Sequence, residues 1–104
     1  MLENLFTLLK KTDEEVIIQL SDENHPIFKA HFPGFPLLPG FLIIEIIANI
    51  LNVSIKKVHS GKFISHALPN DIIVYNIKKD QLKTKIKIVK NDEKNGRIAE
   101  VVYE

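Results

Sequence analysis

The chain of 104 residues has no cysteine and no tryptophan. Without cysteine there is no disulfide, no thiolate metal site and no thiol nucleophile, and the composition suits a reducing, cytoplasmic compartment. An excess of charge of one sign is also lacking. Lysine and arginine number 14 against 13 aspartates and glutamates, a formal charge of +1. That balance gives none of the basic excess with which proteins hold nucleic-acid phosphates, so no nucleic-acid partner is expected. The opening Met1-Leu2-Glu3-Asn4 lacks the basic residues of a signal peptide. Apolar stretches are too short and too interrupted to cross a bilayer, so membrane insertion is not expected. No internal repeat or low-complexity tract stands out. A chain of this length is expected to form one domain over residues 1–104, burying roughly 60–68% of its unfolded surface, with no room for a second core.

What is there concentrates in one place. Glycine and proline number only 4 and 5, yet Pro33, Pro36, Pro39, Gly34 and Gly40 all fall in His31-Phe32-Pro33-Gly34-Phe35-Pro36-Leu37-Leu38-Pro39-Gly40. Prolines three apart favour a stiff, extended, polyproline-like path, and the glycines permit backbone conformations closed to other residues. A potential proton acceptor, His31, precedes this loop. From Phe41 to Leu51 only Glu45 and Asn49 are polar, and their spacing of four puts them on one helix face. A helix apolar on nearly every side is expected to be buried, which would place Glu45 where a charge is costly.

Around this segment, residues 2–10 read as a short helix or a first strand and Glu15–Leu20 as a β-branched strand, joined by a turn at Thr12-Asp13-Glu14. Gly40 opens a helix that Asn52 is placed to cap. Four strands follow, over 54–65, 72–77, 81–89 and 97–103, separated by Pro69-Asn70-Asp71, Lys79-Asp80 and a polar stretch from Asn91 to Gly96. In the third, Leu82, Thr84, Ile86 and Ile88 alternate with Lys83, Lys85 and Lys87, one face buried and one wet. The resulting α+β order is that of a hotdog fold: a curled antiparallel sheet of five or six strands around one long central helix. A single such sheet leaves an open edge and an uncovered helix side, which a second copy would close.

The central segment resembles the 3-hydroxyacyl-acyl-carrier-protein dehydratases of the FabA/FabZ type, whose signature is His-Phe-x-Gly-x-Pro-x-x-Pro-Gly-x-x-x-x-Glu/Asp. His31, Phe32, Gly34, Pro36, Pro39, Gly40 and Glu45 fill every fixed position. Asn24-His25-Pro26-Ile27-Phe28 is similar to the family's approach to its histidine, and Lys62-Phe63 and Pro69-Asn70-Asp71 to its "Lys-Phe…Pro-Gly-Asp" strand and turn. There are departures. Ala30 replaces a usual glycine, Asn49 stands where the FabZ type often has glutamine, and Ile64-Ser65 replace a basic pair used in carrier docking. In its compactness the chain resembles dehydratases attached to specialised pathways such as aryl polyene synthesis.

The resemblance implies reversible dehydration of a carrier-bound 3-hydroxyacyl thioester to the trans-2-enoyl thioester, in fatty-acid or polyene synthesis, without metal or other cofactor. The reaction needs a base for the C2 proton, an acid for the departing hydroxyl and donors for charge on the thioester oxygen. His31 suits the base, since imidazole titrates near neutrality. Glu45 suits the acid, because desolvation favours the protonated carboxyl. The Gly40 N–H, at the positive end of the helix, suits the thioester carbonyl. Asn49 would support Glu45, and Phe32 and Phe63 would wall the acyl chain. The resemblance further implies a homodimer or higher oligomer in which His31 faces the second copy's Glu45, with an acyl carrier protein as partner.

Structural alternatives stand beside these roles: His31 bracing a proline-rich turn, Glu45 in a buried ion pair, the lysine stripe a solvated strand face. His25, His59 and His66 have no ligand-like spacing. Two other functions fit the fold class, a hotdog acyl thioesterase using a carboxylate to activate water, and a non-catalytic acyl-thioester-binding subunit. The intact histidine loop argues against the first and the presence of both acid and base against the second.

Overall fold

The computed structural model describes residues 2–30, 34–92 and 96–104. Strands β1 (Phe6–Lys11) and β2 (Glu15–Leu20) form the opening hairpin. Its turn is held by the Thr12 hydroxyl, which accepts from the amides of Glu14 at 3.3 Å and Glu15 at 2.9 Å. A short helix α1 (Pro26–Ala30), a long helix α2 (Gly40–Leu51) and strands β3 (Val58–Phe63), β4 (Ile72–Asp80), β5 (Lys83–Lys90) and β6 (Arg97–Tyr103) follow. The six strands make one open antiparallel sheet in the order β1-β2-β4-β5-β6-β3. This is the expected hotdog architecture, with β1 and β3 as free edges.

Strand alternation explains how the sheet meets the helix. Val16, Ile18 and Leu20 of β2, Ile73, Tyr75 and Ile77 of β4, Ile86 and Ile88 of β5, and Val101 and Tyr103 of β6 are buried on one face. Asn76, Lys78, Lys83 and Lys87 are exposed on the other. Helix α2 presents Leu42, Ile43, Ile46 and Ile47 to the apolar face, each such side chain contributing about 1.5–3 kcal/mol of transfer free energy.

Both ends of α2 follow from single residues. Pro39, with ψ of 139°, is extended and cannot belong to the helix. At the other end Asn52 takes a left-handed conformation (φ 55°, ψ 48°), its amide donating to the Asn49 carbonyl at 3.2 Å while that of Val53 donates to Ala48 at 3.1 Å. This paired arrangement closes the last turn, as a helix C-terminus requires. Asn52→Ala should therefore cost about 1–2 kcal/mol, because alanine resists the left-handed region, whereas Asn52→Gly should hold or raise the thermal midpoint; thermal denaturation of both variants checks the pair.

The structure corrects several expectations. The strand expected from residue 54 begins at Val58, although Lys56 and Lys57 still exchange backbone hydrogen bonds with Glu104 at 3.0 and 2.8 Å. β4 continues through Lys79 and Asp80, which pair with Thr84 and Lys83. The hairpin turn therefore lies at Gln81-Leu82, and Leu82, expected on the buried face, is 79% exposed at the tip. Helix α1 was not expected at all, although Pro26 at its first position is a known helix-start signal.

Candidate functional site

Helix α1 leads directly into the proline loop. His25 caps it: Nδ1 accepts the Ile27 amide at 3.0 Å, and Nε2 lies 2.8 Å from the Glu3 carbonyl. Both ring nitrogens are thus engaged, and the ring clasps the start of α1 to the segment before β1. The helix ends at Ala30. His31 and Phe32, the expected base and acyl-wall residue, lie with Pro33 outside the described residues.

From Gly34 the loop can be followed. Gly34 has φ of 85° with open space where a Cβ would stand, so glycine is required there by backbone conformation alone. At its end the loop is extended, Pro39 having φ of −57° and ψ of 139°, as the proline spacing predicts there. Leu38 forms an antiparallel bridge with Ala67, its amide donating to the Ala67 carbonyl at 2.8 Å. Two residues on, Gly40 begins α2 with no side-chain cap on the helix terminus, leaving the amide end of the helix and its partial positive charge for another acceptor.

Gly40 and Phe63 meet. A Cβ at position 40 would lie 2.8 Å from Cε1 and 2.9 Å from Cδ1 of the Phe63 ring, so that ring lies over the first turn of α2. It is 48% exposed, set at the end of edge strand β3 beside the helix N-terminus. Gly40→Ala must push it aside. A double-mutant cycle of Gly40→Ala with Phe63→Ala, read by thermal denaturation, should show a favourable coupling of about 0.5–3 kcal/mol as the smaller residue at 63 relieves the overlap.

Glu45 and Asn49 share one face, but that face is not buried. Phe41 is 61% exposed, and Glu45 and Asn49 are exposed with it, a stripe at spacing four along α2. The expectation of a desolvated Glu45 is thus not met within one chain. One six-stranded sheet covers one side of a helix, and the opposite side carries the carboxylate. What holds the stripe in place lies beneath it. The buried Tyr75 hydroxyl donates to the Ile43 carbonyl at 2.9 Å, and burial pushes its phenol far above the ordinary value, keeping it a donor. Lys11 Nζ donates to the Ile50 carbonyl at 3.1 Å near the other end. Helix α2 is therefore fixed in rotation and along its axis at three levels: Leu38 before it, Ile43 within it and Ile50 close to its end.

The remaining histidine with a described partner is His59, whose Nε2 lies 3.0 Å from Glu104. Among the described residues no group of three His, Cys, Asp or Glu is placed to hold a metal ion, and no helix is long and apolar enough to cross a membrane. A cleft of about 370 Å³ runs beside the loop, lined by Glu23, Gly34, Phe35, Pro36, Leu68 and Pro69; Glu45 is not in it. Two contributors went unseen in the sequence. Tyr75 reads there as one more apolar strand residue, and the Leu38–Ala67 bridge joins segments with no mutual signal.

The family model and the curated relatives are dehydratases, while the structural neighbours also include thioesterases. The model of the ApeI-like family, described as ApeI dehydratase, matches residues 9–100. The 3-hydroxyacyl-[acyl-carrier-protein] dehydratase FabZ of Fusobacterium nucleatum is 34% identical over 71 residues, covering 58% of this chain and 50% of that protein. The chain thus spans about half the length of the curated relatives it matches. Among solved structures, the dehydratase heterocomplex ApeI:P of Xenorhabdus doucetiae superimposes with a TM-score of 0.72 at 20% identity, over 94% of this chain and 92% of that one. Thioesterase superfamily member 2 of Mus musculus has a TM-score of 0.60 at 17% identity, over 98% and 80%. At these identities the superpositions establish the fold.

Proposed function

The chain belongs to the ApeI-like dehydratase family, and on that premise we propose that it reversibly dehydrates a 3-hydroxyacyl thioester, carried by an acyl carrier protein, to the trans-2-enoyl thioester. The observation that supports this most is placement. Gly40 and Glu45 hold the motif's spacing on α2, the first at the uncapped amide end and the second on the side the chain leaves open. In the forward direction His31 takes a C2 proton, the Gly40 N–H binds the thioester oxygen as charge develops there, and Glu45 delivers a proton to the departing 3-hydroxyl. The C3–O bond breaks, the C2–C3 double bond forms and water leaves. Asn49, one turn beyond Glu45, steadies the carboxyl, and Phe63 with Phe32 flanks the acyl chain.

The site is completed by a second copy. All six residues of β3 are exposed, and Val58, Phe63, Ile64 and Phe41 are 49%, 48%, 48% and 61% exposed. A free strand edge beside exposed apolar groups is a template for pairing. Two β3 edges related by a twofold axis would cover this surface and the helix stripe, desolvate Glu45 and set it against His31 of the other copy. The edge carries Ile64-Ser65 where the FabZ type has a basic pair, so carrier docking relies on other surfaces.

Hydration of a short 2-enoyl thioester, followed as loss of enoyl absorbance, tests the proposal, with free thiol measured in the same samples. Water addition without thiol release is the expected result. Thiol release alone would replace this reading with thioester hydrolysis, and neither signal across several chain lengths, on acyl carrier protein or on coenzyme A, would leave acyl binding.

A further inference from the structure

The Leu38–Ala67 bridge, which sets where the loop enters α2, depends on how Ala67 is held. Ala67 is fully buried and precedes the turn Leu68-Pro69-Asn70-Asp71. The Asp71 carboxylate closes that turn: Oδ2 accepts the Leu68 amide at 2.8 Å and meets Lys90 Nζ at 3.1 Å. Both side chains are mostly withdrawn from water, 24% exposed for Asp71 and 19% for Lys90. The turn backbone is pinned to β2, Asn70 donating to the Ser21 carbonyl at 2.8 Å and Leu20 donating to that of Asp71 at 2.9 Å. Asn70 meets the turn's demand for a left-handed residue, with φ of 68°. Lys90 reaches the carboxylate from the end of β5. A continuous chain thus runs from Lys90 through Asp71 and the Leu68 amide to Ala67, and from Ala67 across to Leu38, two residues before Gly40.

We propose that Asp71, clamped by Lys90, is a positioning residue that sets the Gly40 amide through the Ala67–Leu38 bridge. It touches no reacting atom. Its effect on turnover rests on the function proposed above; its effect on the loop does not. A charged acceptor on a backbone amide, itself paired, is stiffer than a neutral one, and small displacements of a donor aimed at a developing charge are costly to rate.

The test compares the wild type with Asp71→Asn, which keeps an acceptor for Leu68 but loses the ion pair, Lys90→Met, and the double variant. Amide hydrogen exchange is read at Leu38 in the full chain, with Ile18 in β2 as the core reference. Asp71→Asn should speed exchange at Leu38 by about tenfold or more while leaving Ile18 unchanged, a local opening. Enoyl hydration should lose about tenfold or more in kcat, with KM little changed. The double variant should be no worse than Asp71→Asn, since the two side chains act as one unit. Unchanged exchange at Leu38, or a rise shared equally with Ile18, overturns the proposal. A wild type without hydratase activity overturns the function proposed above instead, and the exchange comparison then decides the positioning role by itself.

Discussion

Glu45→Gln is expected to lower enoyl-thioester hydration by about 10²–10⁴-fold, the span of a lost general acid–base group, without lowering the thermal midpoint. The two halves of that expectation have separate grounds. Glutamine is close to isosteric and can keep hydrogen bonds, but it can neither take a proton from the water that adds in hydration nor deliver one to the departing 3-hydroxyl in the reverse reaction. Stability should hold because Glu45 lies outside the cluster formed by Leu42, Ile43, Ile46 and Ile47, and a neutral amide of the same size on a stripe covered by a second copy leaves no charge to desolvate. His31→Ala should lose activity to a similar extent, by removal of the group that gives C2 its proton in hydration and takes it in dehydration. Kinetics with a saturating short 2-enoyl thioester, beside circular dichroism and thermal denaturation, would measure both. A variant that keeps more than about a tenth of wild-type turnover would remove its residue from the acid–base pair, since general acid–base groups contribute far more than that.

The legible part of the fold was carried by local chemistry. Gly40 after Pro39 starts α2 and Asn52 ends it in a left-handed conformation, both readable from backbone preference alone. The alternation in β5 correctly places Ile86 and Ile88 inside. It fails at Leu82 because the turn position is decided by pairing: Asp80 opposes Lys83, leaving Gln81-Leu82 outside the ladder whatever their hydropathy. Glu45 shows the same limit at the next level. An apolar helix reads as buried, but what buries it is counted over the whole assembly, and one chain supplies only one sheet. The ties that hold the site loop, Leu38 to Ala67 and Asp71 to Lys90, join residues 29 and 19 apart in sequence. No period or propensity connects such partners; only the folded sheet brings them together.

Mixing His31→Ala with Glu45→Gln should restore activity that neither has alone. If His31 of one copy works with Glu45 of the other, a mixed dimer holds one site with both substitutions and one with neither. With random exchange half the dimers are mixed, and one site in two is intact there, so recovery should approach about a quarter of wild-type activity for a twofold-symmetric pair. The exposed edge makes exchange the step to control. β3 offers unpaired backbone groups along its length, and pairing two such edges would give one continuous sheet with the Phe41–Glu45–Asn49 stripes facing each other. The mixture should therefore be unfolded and refolded together, and its activity compared with that of each variant treated alone. Gly61→Pro in both partners should abolish the recovery, because proline removes a ladder donor and is excluded from a strand paired on both sides. It should also convert a dimer to a monomer in sedimentation. Failure of the mixture to recover activity, with dimers shown to have exchanged, would place both groups of each site in one chain and overturn the shared site.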